Sequence, residues 1–228
     1  NTALFYTDHV LMTADKNICN ELENLFTYLQ KKKTDLPKND IKFRDLFVTQ
    51  FNLIDDFEKL IDGEIKKAKK GLPAQIRIKV NNLEEAYFID LLYKASRAGV
   101  EVRLIVRSVC CLIPQTKNLS ANITVKRIVD RYLEHTRLFI FGTDENALVA
   151  MGSSDLMTRN LRRRIEVCVS IKNNYCREQL LHYFRLQWED NTKAVRLTAG
   201  MEQVRLQPGD TPHNAQTEIF NYLKNISC

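Results

Sequence analysis

The stretch that decides the fold runs from Asp130 to Ile171 and reads DRYLEHTRLFIFGTDENALVAMGSSDLMTRNLRRRIEVCVSI. Apolar residues recur in it at short spacing, and alternation at every second position is typical of half-buried β-strands. Three strands are predicted in succession, at residues 137–141, 148–151 and 165–171. The chain is therefore expected to contain a β-sheet whose adjacent strands carry the polar residues between these segments.

Those polar residues are of the kinds that bind phosphate. His135 follows Glu134 and leads into the first strand, while Gly152-Ser153-Ser154-Asp155 follows the second. Four arginines precede the third strand, at positions 159, 162, 163 and 164. Small residues let phosphate oxygens approach backbone N–H groups, and guanidinium groups supply a fixed positive charge. The pattern predicts a phosphate-handling site with one histidine.

The preceding part of the chain adds strands and helices to this sheet. Residues 75–80 and 101–107 each alternate as strands do, and the segment between them has apolar residues at helical spacing. Asn82 with Glu85 three residues later is typical of a capping box at the start of that helix. A strand, a helix and a strand joined by short loops form a βαβ unit, so part of the sheet is expected to be parallel.

Further elements are predicted on both sides of this unit. Leu4 to Thr13 is expected to be a strand, and Asp15 is expected to cap the helix that follows it. The remaining elements are a strand at 43–51, helices at 53–70, 174–188 and 217–224, and a hairpin of 194–197 with 203–206.

A domain boundary is predicted near residue 40. Residues 34–40 are polar, contain Pro37 and lack periodicity, as linkers do. Residues 1–40 and residues 41–228 are therefore expected to belong to two domains. The chain starts with neither an initiator methionine nor a signal peptide, so we expect it to be a piece of a longer protein.

Charge, hydropathy and cysteine spacing indicate which partners and sites the chain can have. The formal net charge of +6 and the isoelectric point near 9.0 favour anionic partners, although a solvated basic face gives the same values. No apolar run approaches the ~20 residues of a membrane span. The six cysteines lack CxxC spacing, which favours free thiols over a zinc site. Neither of the usual glycine-rich nucleotide loops is present.

His135 is the candidate catalytic residue. A partly buried histidine bonded to a neighbour is the plainer interpretation of any single histidine. Together with the Gly-Ser loop at 152–155, however, His135-x-Arg137 resembles half of a phospholipase D-type site, in which H-x-K and G-S-x-N elements meet around a phosphate. Arginine in place of lysine keeps the charge but changes the geometry.

Several basic residues are candidate phosphate ligands. Arg107 lies at the carboxyl end of its strand, outside which ligands bind in open α/β sheets. Lys79, on the polar side of its strand, is a weaker candidate. A salt bridge to Asp155 or Glu166 is the alternative for the arginines, which are Arg107, Arg159, Arg163 and Arg164.

Several long motifs resemble one family. YKASRAGV at 93–100, LIVRSVCCLIP at 104–114, IVDRYLEH at 128–135 and SSDLMTRNL at 153–161 occur in the order in which bacterial polyphosphate kinases have similar segments. The resemblance extends over nearly the whole chain. Two positions depart from it: Gln50, where proline is usual, and Arg162, where an acidic or neutral residue is usual.

The resemblance implies a fold and an activity. The fold would be a phospholipase D-like mixed sheet flanked by helices, with the remnant of a similar preceding domain. The family transfers the terminal phosphoryl group of ATP reversibly to inorganic polyphosphate through a phosphohistidine. That histidine and the magnesium ligands would lie upstream of Asn1. This chain would then supply the second half of the site and be inactive alone.

The resemblance also implies residue roles and a cellular setting. Tyr6 matches a residue that contacts the nucleotide, Arg107 one that contacts phosphate, and His135 the second histidine of the site. With Lys79 and Arg164, these are the residues expected to bind ATP or phosphate, and no metal ligand is expected among them. The partners would be ATP, ADP and polyphosphate, without specific nucleic acid. The intact enzyme would be a bacterial cytoplasmic homo-oligomer, and peripheral membrane association is compatible with the sequence.

Two other functions stay open on the residues alone. A phospholipase D-type phosphodiesterase or nuclease would need a second H-x-K element, which this chain lacks. A non-catalytic polyanion-binding module would bind DNA and polyphosphate alike, with strong dependence on salt, and would not need His135.

Overall fold

The computed structural model of the protein describes residues 5–30, 41–143 and 146–226. The helices are α1 (Lys16–Gln30), α2 (Leu53–Lys69), α3 (Ala86–Arg97), α4 (Thr158–Arg163), α5 (Asn174–Glu189) and α6 (Ala215–Asn225). The strands are β1 (Tyr6–Thr7), β2 (Leu46–Val48), β3 (Gln75–Val80), β4 (Glu101–Val106), β5 (Ile123–Ile128), β6 (Leu133–Glu134), β7 (Arg137–Phe141), β8 (Leu148–Gly152), β9 (Val167–Ser170), β10 (Ala194–Leu197) and β11 (Gln203–Arg205).

Nine of these strands form one mixed sheet in the order β11-β10-β5-β4-β3-β7-β8-β9-β2. Strands β3, β4 and β5 are parallel, as the βαβ pattern predicts, and every other neighbouring pair is antiparallel. The expected α/β fold with a mixed sheet flanked by helices is confirmed.

The sheet is covered on both faces, which explains why its central strands are more apolar than strict alternation requires. Phe139 packs on one face against Phe57 of α2, with ring centroids 4.9 Å apart. Its neighbours Leu138 and Ile140 point to the other face, where they meet Phe184 of α5. Strands buried on both faces read as continuous apolar runs, and burial of each large apolar side chain stabilises the fold by about 1.5–3 kcal/mol.

The predicted N-terminal strand is mostly wrong. Only Tyr6–Thr7 of the expected segment from Leu4 to Thr13 is strand, and it pairs in parallel with β6. Residues 8–13 are irregular, because the strand next to Thr7 ends at Glu134 and offers no further partner. The expected cap of α1 is confirmed, since Oδ1 of Asp15 accepts the N–H groups of Asn17 and Ile18 at 2.8 and 3.2 Å.

The predicted start of α3 is also wrong. The helix begins at Ala86, and its cap is Glu85, whose carboxylate accepts the N–H of Phe88 at 2.8 Å. The side chain of Asn82 instead binds Asp155 and the N–H of Val109. Asn82 cannot cap the helix because residues 83–85 first form bridges and hydrogen bonds to the loops at 109–111 and 156.

Helix α1 covers the β2 edge of the sheet. The carboxylate of Glu21 accepts the N–H groups of Arg44, Asp45 and Leu46 at 2.7–3.3 Å, and Leu25 packs against the buried side chains of β2. Exposed strand edges invite pairing with other chains, and covering them prevents this. The predicted linker at 34–40 lies outside the described residues, so the domain boundary near residue 40 stays a prediction.

Within the described ranges, no helix combines the length and apolar character that crossing a membrane requires.

Candidate active site

The predicted site residues lie at the edge of the sheet where one set of strand ends meets, at the carboxyl ends of β3 and β4 and not at the outer strands β2 and β11. Strands β3 and β4 end at this edge, and because β7, β8 and β9 are successively antiparallel, β7 and β9 begin there and β8 ends there. The edge therefore gathers residues that are far apart in the sequence, which are Asn81, Arg107, His135, the loop at 153–155 and Arg164. Tyr6 joins them through the pairing of β1 with β6.

His135 is held by Asp8, a residue that the sequence analysis missed. Nδ1 of His135 lies 2.7 Å from Oδ2 of Asp8, and the backbone N–H of His135 donates to the carbonyl oxygen of Thr7 at 3.0 Å. Burial raises the pKa of Asp8, but hydrogen bonds with His135 and from the N–H of His9 outweigh this and lower it. A carboxylate beside Nδ1 favours the proton on that nitrogen and so fixes the tautomer of the ring.

Arg137 places a positive charge beside that ring. Its Nη1 donates to the carbonyl oxygen of His135 at 2.8 Å and lies 3.0 and 2.9 Å from the two ring nitrogens. Its Nε donates to Asp155 at 3.2 Å. The buried carboxylate of Asp155 also accepts the N–H of Asn81 and the side-chain amide of Asn82, each at 2.9 Å. The His-x-Arg and Gly-Ser elements therefore meet, and the connecting residue is Asp155.

The hydroxyl groups of the Gly-Ser loop donate hydrogen bonds to other groups of the protein. Ser153 donates to Glu166 at 2.5 Å, and buried Ser154 donates to the carbonyl oxygen of Asp155 at 3.0 Å. Gly152 lies so close to β9 that a Cβ added there would stand 2.2 Å from the carbonyl oxygen of Val167. The small residues are therefore needed for the close approach of β8 and β9.

Arg107 and Asn81 carry unsatisfied polar groups. Nη1 of Arg107 and both side-chain polar atoms of Asn81 are buried without a hydrogen-bond partner among the described residues, and Asn81 is only 2% exposed. The pKa of Arg107 is lowered by burial first and by Arg137 second, while Asp155, Tyr6 and Glu134 raise it. A buried polar group without a partner costs about 1–3 kcal/mol, so these groups are suited to a ligand that completes their bonding.

A cavity of about 450 Å³ borders Arg107. Phe5, Asp130, Arg131 and Tyr132 line it together with Glu134. The ring of Tyr6, the residue after Phe5, stands edge-on to His135, with centroids 4.8 Å apart and an interplanar angle of 87°. The cavity combines aromatic and cationic side chains next to the histidine, which suits a ligand with a planar group and phosphates.

Lys79 does not face this cavity. It is 2% exposed, its Nζ donates to the carbonyl oxygen of Thr136 at 3.0 Å, and it lies 3.6 Å from Oε2 of Glu134. The polar side of β3 is therefore covered, whereas the sequence analysis took it for an accessible face. In this structure Lys79 instead bonds to the backbone next to His135, and its direct contact with phosphate stays a prediction.

The arginines near α4 are dispersed. Arg164 is exposed at the site's edge of the sheet, with Nη1 4.0 Å from Glu166. Arg162 pairs with Glu85 at 2.8 Å and lies over the ring of Tyr87, which accounts for this departure from the family pattern. Arg159 and Arg163 are exposed.

The other departure changes a turn. Gln50 has φ of 65°, which proline cannot adopt, and its side chain donates to the carbonyl oxygen of Arg164 at 3.0 Å.

The described residues do not form a metal site. No three His, Cys, Asp or Glu side chains among them are grouped so as to hold a metal ion. Magnesium prefers carboxylate and phosphate oxygens, and this part of the chain does not present such a set of carboxylates.

Comparison with known proteins gives consistent matches. A family model described as polyphosphate kinase C-terminal domain 2 matches residues 46–216. The polyphosphate kinase of Vibrio parahaemolyticus is 37% identical over 226 residues, which cover 99% of this chain and 32% of that protein. The polyphosphate kinase of Escherichia coli is 35% identical with the same coverage.

A solved structure matches as well. The crystal structure of polyphosphate kinase from Porphyromonas gingivalis is similar with a TM-score of 0.87 and 36% identity, covering 93% of this chain and 32% of that chain. The chain therefore spans about a third of the length of the relatives that it matches.

Proposed function

Because the chain belongs to the polyphosphate kinase family, we propose that it supplies half of the active site of an enzyme that transfers the terminal phosphoryl group of ATP to inorganic polyphosphate. The transfer is reversible, so ADP and polyphosphate are substrates of the opposite reaction. The chain acts as part of a longer enzyme, since its relatives are about three times as long. Alone, it binds ligand weakly and does not turn over.

The observation that carries this proposal is that Arg107 lines the cavity and that its buried Nη1 has no hydrogen-bond partner among the described residues. A phosphate oxygen placed there would accept from the guanidinium group in a charge-assisted hydrogen bond. The unpaired amide of Asn81 offers a further donor and an acceptor close by. The aromatic residues Phe5, Tyr6 and Tyr132 supply apolar surface for a nucleotide base.

The two histidines of the proposed reaction have different roles. A histidine outside this chain attacks the terminal phosphorus of ATP. The bond between that phosphorus and the bridging oxygen breaks, and ADP leaves. The terminal oxygen of polyphosphate then attacks the phosphohistidine and releases the free imidazole. His135, oriented by Asp8, donates a proton to the departing oxygen of ADP or stabilises its charge. Arg107 and Arg137 stabilise the negative charge that spreads over the transferred group.

The remaining expectations concern the intact enzyme. Magnesium would neutralise nucleotide phosphates there, held by residues outside the described part of this chain. The enzyme is expected to be a homo-oligomer in the bacterial cytoplasm, with peripheral membrane association compatible with its basic charge. No specific nucleic-acid partner is expected.

The test uses ATP labelled on its terminal phosphate and the enzyme that carries this chain, with magnesium. We expect label in acid-insoluble polymer. His135→Ala should lower the rate of its formation at least about 100-fold, which is within the range for loss of a general acid. The matched control is His182→Ala, because His182 lies on α5 and its ring contacts Tyr222.

Three outcomes would contradict the proposal. Equal activity of His135→Ala and the unmodified enzyme would reject the role of His135. Cleavage of phosphodiesters in the absence of polymer synthesis would favour a phospholipase D-type enzyme. Salt-dependent binding of both DNA and polyphosphate without phosphoryl transfer would favour a polyanion-binding module.

A further inference from the structure

A buried polar cluster lies directly behind His135. It is centred on the carboxylate of Glu134, which is 4% exposed, and its other members are Lys79, Tyr183, Gln187 and Gln216. These residues come from β6, β3, α5 and α6, so the cluster connects the sheet to both helices on one side of it. None of the cluster is used in the chemistry proposed above.

Every polar contact of the Glu134 carboxylate is with a donor or a cation. Oε2 accepts from the hydroxyl of Tyr183 at 2.8 Å and from the side-chain amide of Gln187, and it lies 3.6 Å from Nζ of Lys79. Oε1 accepts from the side-chain amide of Gln216 at 2.9 Å. A buried charge is stabilised only by such a complete set of partners. The carboxylate is therefore specifically required, because an amide in its place would direct an N–H at another donor.

The cluster holds the chain on both sides of His135. Glu134 precedes the histidine, and Thr136, whose carbonyl oxygen accepts from Lys79 at 3.0 Å, follows it. Lys79 thus connects the two residues that flank His135. The hydroxyl of Thr136 also lies 3.0 Å from Nδ1 of His9 and donates to Asp8 at 3.4 Å. A shift of this backbone would move the imidazole relative to Asp8.

Helix α6 fixes the same segment at Tyr132, two residues before Glu134. Oε1 of Gln216 accepts the N–H of Tyr132 at 3.0 Å, and its Nε2 donates to the carbonyl oxygen of Tyr132 at 2.8 Å. The side-chain amide thereby bonds to the backbone as a neighbouring strand would, while β1 pairs with Leu133 and Glu134. The segment that leads into His135 is fixed by a helix and by a strand.

We propose that Glu134 is a positioning residue, which acts through Lys79 and Thr136 to hold the His135 imidazole in its hydrogen bond with Asp8. The kinetic consequence of this role rests on the function proposed above, but the orientation of the ring does not. A purely structural Glu134 would contribute to stability without affecting the ring. The experiment must therefore read out the ring itself as well as turnover.

The test compares two buried carboxylates. Glu64 is 3% exposed, pairs with Lys67 at 2.7 Å and accepts the N–H of Gln75 at 3.1 Å, at the opposite edge of the sheet from His135. Glu134→Gln and Glu64→Gln each remove one buried charge, and both are expected to destabilise the fold. Only Glu134→Gln is expected to lower kcat, by roughly 10- to 100-fold for a small displacement of a reacting group, with KM for ATP changed less than about threefold.

The ring is observed in the 228-residue chain labelled with 15N-histidine. Nitrogen chemical shifts report which ring nitrogen carries the proton, and His135→Ala identifies the signal. At a pH at which the ring is neutral, we expect a single Nδ1–H tautomer in the unmodified chain and in Glu64→Gln, and a mixture of tautomers in Glu134→Gln. An unchanged tautomer in folded Glu134→Gln would overturn the proposal. This measurement stays decisive even if the kinase activity is absent.

Two further variants keep the proposal falsifiable if Glu134→Gln does not fold. The double variant Lys79→Met/Glu134→Gln removes both charges, so it should fold better than the single variant and still show mixed tautomers. Gln216→Ala removes one bond to the carboxylate from a half-buried position and should give a smaller effect of the same kind. A single tautomer in both of these variants would exclude a positioning role for the cluster.

Discussion

At the scale of single residues, the sequence indicates the candidate site residues but not the residues that hold them in place. His135 and Arg107 were identified because their types suit phosphate and because they lie at strand ends, and Arg137 because His135-x-Arg137 resembles an H-x-K element. Asp8 was missed, since it is separated from His135 by 127 residues and nothing near it in the sequence indicates a partner. Lys79 was given a direct phosphate contact because strand alternation placed it on a polar side, yet helix α5 covers that side with Tyr183.

The burial of Lys79 leads to a prediction about stability and pH. Burial lowers its pKa from 10.5 to about 8, opposed by Glu134. The other charged groups that act on it are Arg107 and Arg137, which lower the pKa further, and Asp8, which raises it. Because the pKa is lower in the folded state, the unfolded chain binds more protons between pH 8 and 10.5. The free energy of unfolding due to Lys79 therefore rises with pH across that window.

The measurement is urea unfolding of the unmodified chain and of Lys79→Met at several pH values. The difference in unfolding free energy should be constant below about pH 7 and should then increase in favour of the unmodified chain by about 3 kcal/mol toward pH 10.5. Because both proteins contain all the other titrating groups, the difference between their unfolding free energies reports the titration of Lys79. A difference that does not change with pH would mean that the amine is solvated in the native state.

At the scale of elements, local patterns predicted the helices better than the strands. Helix α2 was expected at 53–70 and spans Leu53–Lys69, because its apolar face and its terminal Gly71, with φ of 71°, are local signals. Strands β3 and β4 were also correctly placed by their alternation. Strand β1 is only two residues long, since its length depends on a partner strand more than a hundred residues away. Pairing partners of this kind are not encoded in a short window.

Two glycine-to-alanine substitutions are predicted to have opposite effects on stability, because Gly152 lies against β9 and Gly63 has free space around it. In Gly152→Ala the new methyl group would meet the backbone of Val167 and Cys168 at 2.2–2.5 Å. The strands must separate, and we expect a loss of about 1–3 kcal/mol of stability together with lower transferase activity, because Gly152 pairs with Arg137. Gly63 lies within α2 with no atom within 4 Å of an added Cβ, so Gly63→Ala should stabilise by about 0.5–1 kcal/mol.

Urea unfolding midpoints of the two variants check this prediction. Gly63→Ala is the control for any general effect of an added methyl group. Equal stability of Gly152→Ala and the unmodified chain would show that β8 and β9 separate at little cost.

At the scale of the molecule, the sheet has two different edges. Strand β11 at one end is three residues long and exposed, while β2 at the other end is buried under α1. Helix α1 lies before the predicted domain boundary, yet its Glu21 and Leu25 protect the β2 edge. Charge and composition could not predict this contact, because the amphipathic face of α1 is compatible with any apolar partner.

A truncated chain tests the boundary and the edge together. Residues 41–228 should fold, because α2, α3 and α5 still cover the central sheet. Without α1, however, Leu46 and Val48 and the backbone of β2 are exposed, so we expect a lower melting temperature and concentration-dependent association. Analytical ultracentrifugation of both chains measures this. A truncated chain that stays monomeric with an unchanged melting temperature would show that α1 is dispensable, as a fully separate domain would be.

The hydrogen bond between Asp8 and His135 has a consequence for protein synthesis. Ribosomes in cells add about 5–20 residues per second, and 127 residues separate these two side chains. His135 is therefore synthesised roughly 6–25 s after Asp8, and by then the parallel strands of the core are already able to form. His135 can therefore be positioned only after β3, β4 and β5 have been synthesised, so ribosome stalling or premature termination before residue 135 would release a protein that contains α2 and α3 but lacks the His135 part of the proposed site.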